Sequence, residues 1–106
     1  MDNMMQEVVK DTYKVIVLYR DALTNAFLQG HVSLEVKSKS DLFFTANFLE
    51  RLLAGQQPTE EDVLCIDKEC AALDLMCRVF PEQFKFIEPQ LKAVGKAFET
   101  WQSILN

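Results

Sequence analysis

Four stretches of this chain repeat an apolar stripe at helical spacing, and that pattern leaves few folds open. In the first, from about Asn3 to Leu28, Met5, Val9, Thr12, Ile16, Tyr19, Leu23 and Ala26 follow one another at alternating steps of four and three. That spacing gathers them on one face of a helix with 3.6 residues per turn. Asp2 or Asn3 can cap the start, and Gly30 can supply the left-handed residue after the end. The segment is also apolar off its stripe, at Val8, Val15, Val17, Leu18 and Phe27. A helix apolar around so much of its girth is central in a bundle or covered by a partner.

The second segment, from about Ser40 to Ala54, is the densest in apolar residues and carries Phe43, Phe44 and Phe48. Ser38 or Ser40 is its expected cap, and Gly55 its expected stop. Adjacent Phe43 and Phe44 cannot both face one core, so one of the pair is expected to point outward or to lie under a loop. Before this segment, Val32, Leu34 and Val36 alternate with polar residues, which is the strand period. One short strand would have no partner, so His31 to Lys39 reads as a loop or an early turn of the next helix. The third segment begins after Gln56-Gln57-Pro58, with Thr59 as cap, and Pro81 stops it. Its stripe is Val63, Ile66, Cys70, Leu73, Cys77 and Phe80. In the fourth, Pro89 suits the first turn, and Ile87, Leu91, Val94, Phe98, Trp101 and Leu105 form a clean heptad. This places Trp101 in the core. Counted cap to cap, the expected helices are 3–29, 40–54, 60–79 and 88–105.

Four helices with short connections fold most simply as an all-α, antiparallel four-helix bundle. Residues 1–106 then form a single domain, since no second unit can be cut out without splitting the core. The composition agrees: 49% of residues are hydrophobic, with only three Gly and three Pro. No apolar run approaches the roughly 18 residues of a membrane span. No basic region precedes an apolar stretch near the N-terminus, and three cysteines close no disulfide framework. A reduced chain in the cytoplasm is therefore expected.

The charge is gathered in one place. Between Thr59 and Asp74 stand six acids (Glu60, Glu61, Asp62, Asp67, Glu69, Asp74) and one base, Lys68. That segment carries the whole net charge of −5, and the rest of the chain sums to zero. Glu60, Asp67 and Asp74 recur at seven and share a face; Asp62 and Glu69 form a second row. The plain reading is a solvated face. The sharper one is a docking surface for a basic partner, because one-sided charge steers encounter. Nucleic acid is disfavoured as a partner by the same charge. Metal chemistry finds little support. Cys65, Cys70 and Cys77 lack zinc spacing, His31 is the only imidazole, and no Glu-x-x-His motif is present. No Gly-rich phosphate loop is visible, and no cofactor is expected.

The expectation that follows is a non-catalytic protein-binding module: an adaptor, a secretion-type chaperone or an inhibitor of a host enzyme. Its partner is another protein with a basic surface, or a second copy in a homodimer. Its surface would join an apolar flank, Val17, Leu18, Phe43 and Phe44, to the acidic row Glu60, Asp67 and Asp74. The competing expectation is a small metal-dependent hydrolase that uses the helix carboxylates.

Overall fold

The computed structural model describes residues 2–105, with side chains through Ser103. Helix α1 (Asn3–Leu28) has 26 residues. At about 1.5 Å per residue it runs nearly the full 42 Å length of the molecule. Its stripe is its buried face: Val9, Thr12, Ile16, Tyr19, Leu23 and Ala26 are all buried. Asp2 caps it by accepting a bond from the Met5 N–H at 2.8 Å. Gly30, at φ 81°, ends it. There the Gly30 N–H donates to the Phe27 carbonyl and the His31 N–H to the Ala26 carbonyl, the paired bonds of a Schellman ending.

The next stretch corrects the expectation of a loop or an early turn of the following helix. It holds a short helix, α2 (Leu34–Lys39), capped by the Ser33 hydroxyl, which accepts from the Val36 N–H. Val32 stands just before the Ser33 cap and Val36 on the first turn after it; both are buried, and Leu34 is exposed.

Helix α3 (Phe43–Leu53) starts later than expected, and neither Ser38 nor Ser40 caps it. The residue before it is Leu42, in the left-handed region at φ 56°. A branched side chain there costs about 1–2 kcal/mol, offset by burial of the leucine in the core. Leu42 offers α3 no side-chain cap. The cap comes from Glu69, 25 residues beyond Phe44: its carboxylate accepts from the Phe44 and Thr45 N–H groups at 2.8 and 2.7 Å. It also accepts from the Thr45 hydroxyl at 2.8 Å. Gly55, at φ 88°, ends α3 as Gly30 ends α1.

Glu69 belongs to α4 (Glu60–Val79), which opens with a reciprocal cap between Thr59 and Asp62. A 3-10 turn at Gln83–Ile87 leads into α5 (Glu88–Leu105), with Pro89 in its first turn. The four longer helices form an all-α antiparallel four-helix bundle, with no strand among the described residues. Among these residues no helix is long and apolar enough to cross a membrane.

The core is uneven along the bundle. Central α1 packs against both α3 and α5, while α4 packs against α3 and α2. At the end where the 3-10 turn joins α4 to α5, Leu73, Met76, Phe84 and Ile87 are buried. At the opposite end Val63 is 51% exposed, and Ile66, Phe98 and Trp101 are only half-buried. This corrects the placing of Trp101 wholly within the core: it packs against the core with one side and leaves the other open. The expected Leu105 contact lies outside the residues whose side chains are described.

Candidate functional site

The open end contains a cleft of about 770 Å³. Met5 and Thr12 of α1, with Phe48, Leu49 and Leu52 of α3, form its floor. Val63, Ile66 and Cys70 of α4 form one wall, and Phe98 and Trp101 of α5 form the other. The turn from Gly55 to Pro58 closes one end with amide and backbone groups. Among the described residues Asp67 is the only charged side chain in the lining, with no Lys, Arg or His.

Polar ties explain why the walls stand apart. Glu69 binds the start of α3, and Asp62 binds Arg51 near its end at 2.7 Å. These bonds fasten the N-terminal half of α4 to α3 rather than to α5. The hydrogen bond from Arg51, helped by the Thr59 N–H, holds the Asp62 carboxyl below the usual carboxylate range. Among the described residues nothing comparable ties α4 to α5 here, and the apolar residues between them stay partly uncovered.

The six acids of α4 thus divide by role. Asp62 and Glu69 serve α3. Asp74 pairs with Arg78 one turn on. Glu60, Glu61 and Asp67 are exposed, with no ion pair among the described residues. Two of the cysteine thiols hold their protons more tightly than a free thiol. Burial, then Glu69 and Asp67, pushes Cys70 up, and burial, then Asp74, pushes Cys77 up. Cys65 faces another recess, of about 240 Å³, beside Phe44 and Lys68. Among the described residues no three of His, Cys, Asp and Glu converge so as to hold a metal ion.

The residues singled out from the sequence do not form one surface. Of the seven, only Asp67 lines the cleft. Glu60 is exposed on the first turn of α4, and Asp74 lies two turns beyond Asp67. On α1, Val17 is half-buried and Leu18 is exposed. Phe43 and Phe44 correct the expectation that one of the pair would be covered: each is 55% exposed. Their rings meet edge to face at 5.7 Å. The Arg20 guanidinium, paired with Asp41 at 3.0 Å, lies 5.6 Å above the Phe43 ring. This arrangement follows from the late start of α3, which puts both rings on its first turn. His31 is exposed and stacks on Phe86 with ring centres 4.1 Å apart, joining the first connection to the 3-10 turn.

Sequence reasoning missed the cleft because its walls read as ordinary core. Val63, Ile66, Phe98 and Trp101 all fall on stripes. One signal was available: Val63 and Ile66 stand among Glu60, Glu61 and Asp67, a thin stripe beside the denser ones of the other helices. Comparison with protein families, with curated proteins and with solved structures finds no match to this chain.

Proposed function

We propose that this protein is a non-catalytic binding module of the adaptor, chaperone or inhibitor kind. It takes a helical segment of another protein into the cleft between α4 and α5. The observation that carries this reading is the cleft itself: apolar side chains from four helices, left partly open to water where a bundle normally closes. Exposed apolar surface of this extent marks interaction sites, and a groove walled by helices accepts the apolar face of a further helix. The acidic rim of α4 steers the encounter. A metal-dependent hydrolase finds less support, because three of the six acids on α4 are already engaged with Arg51, the start of α3 and Arg78.

The test uses Val63, which lines the cleft and is exposed enough to accept a charge without unfolding the chain. Proteins retained from the native cell by the wild-type chain and lost by Val63→Lys are expected to bind the purified wild-type chain directly. Retention of the same proteins by Val63→Lys, with its helicity intact, would remove the cleft from consideration as the binding surface.

A further inference from the structure

Resting on that reading, we propose that the cleft is built for a basic amphipathic helix, one whose apolar stripe is flanked by lysine or arginine. The space has the form of a missing helix. It lies between two helices that pack mainly on other elements, α4 on α3 and α2 and α5 on α1, over a floor made of two more. Side-chain ridges on all four sides suit the ridges of another helix.

Charge decides the kind of helix. Among the described residues the lining offers one carboxylate, Asp67, and no base. Glu60 stands on the same face of α4, about two turns before Asp67, and has no ion pair among the described residues. The nearby cation Arg51 is already held by Asp62. An acidic helix, or an amphiphile with a carboxylate head, would bring a second negative charge to this rim and meet no counter-charge. A lysine or arginine beside the apolar stripe would meet Asp67 in the lining and Glu60 on the same side of α4. The polar end of the cleft, Gln56 and Gln57 with the turn backbone, accommodates the end of a helix, where N–H or C=O groups need partners.

Trp101 is the only tryptophan and stands in the cleft wall, so the test has an internal reporter. Tryptophan-free peptides would be titrated into the intact chain: leucine at helical spacing with lysine on the other face, and the same peptide with glutamate in place of lysine. The lysine peptide is expected to shift Trp101 emission to the blue and to bind about tenfold more tightly than the glutamate peptide at low salt. The difference should shrink as salt rises, since exposed charges are screened. Asp67→Lys should abolish or reverse the preference while circular dichroism stays unchanged. Location is checked by alkylation at mildly alkaline pH, where the Cys70 thiol, pushed up by burial, reacts in the free chain, followed by mass spectrometry. The bound peptide is expected to protect Cys70 in the cleft wall and to leave Cys65, which faces the other recess, as reactive as before.

The outcomes separate the two ideas. Equal binding of both peptides, with Cys70 protected and Asp67→Lys without effect, would overturn the charge assignment and leave the cleft as a docking groove. A lysine peptide that binds without moving Trp101 or protecting Cys70 would overturn both. A blue shift that grows with protein concentration alone would make a second copy the occupant and overturn the proposal.

Discussion

Tyr19 shows how one side chain can join two elements and also set a pH limit. It is fully buried on the α1 stripe, and its hydroxyl donates to the Ser40 carbonyl at the end of α2 at 2.8 Å. Burial disfavours the phenolate and pushes the Tyr19 hydroxyl well above its ordinary range. A group that holds its proton more tightly in the folded state contributes stability that is complete below the unfolded value. That contribution is lost as pH rises past the ordinary tyrosine value of about 10. Denaturant midpoints of the wild-type chain should therefore fall above this pH, and Tyr19→Phe should fall less steeply. At neutral pH Tyr19→Phe should cost about 1–2 kcal/mol, because the Ser40 carbonyl loses a buried donor. Glu69 acts across a longer span. Glu69→Ala would leave the buried Thr45 hydroxyl and two N–H groups without their acceptor, and should cost about 2 kcal/mol in urea denaturation. Trp101→Ala should cost less than the roughly 3–5 kcal/mol of a fully buried tryptophan, since one side of the ring is already open.

At the scale of the elements, legibility depended on whether a signal was local. The ends of α1 and α3 were readable because Gly30 and Gly55 act within a few residues, at positive φ, and no neighbouring atom crowds the place of a Cβ. Gly30→Ala and Gly55→Ala should each lower stability by about 1 kcal/mol, a cost of backbone conformation alone. The start of α4 was readable for the same reason, since Thr59 and Asp62 cap one another within one turn. The start of α3 was not. Its serines lie on the preceding helix or in the turn after it, and its cap arrives from Glu69 on a different helix. Val32 and Val36 fit both a strand and a helix turn, so spacing alone could not find α2. The cleft was hidden because periodicity tells which face of a helix is apolar, and not whether a neighbour reaches that face.

Across the whole molecule the uneven core implies uneven stability. The end built from Leu73, Met76, Phe84 and Ile87 is closed, while the end with Val63, Phe98 and Trp101 is open. Hydrogen exchange should proceed faster in the first turns of α4 and the C-terminal turns of α5 than in the halves that meet the 3-10 turn. A bound helix should slow exchange in those same turns. Uniform exchange along both helices would mean that the open end is as well packed as the closed one. The cap from Glu69 also bears on how the chain folds. Residues 40–58 contain no local nucleus of their own, because the acceptor that starts α3 is supplied only when α4 docks. A synthetic peptide of that segment should remain largely coil in water. In the intact chain, Glu69→Ala should then slow refolding if α3 and α4 condense together in the transition state, and should speed unfolding if α4 arrives afterwards.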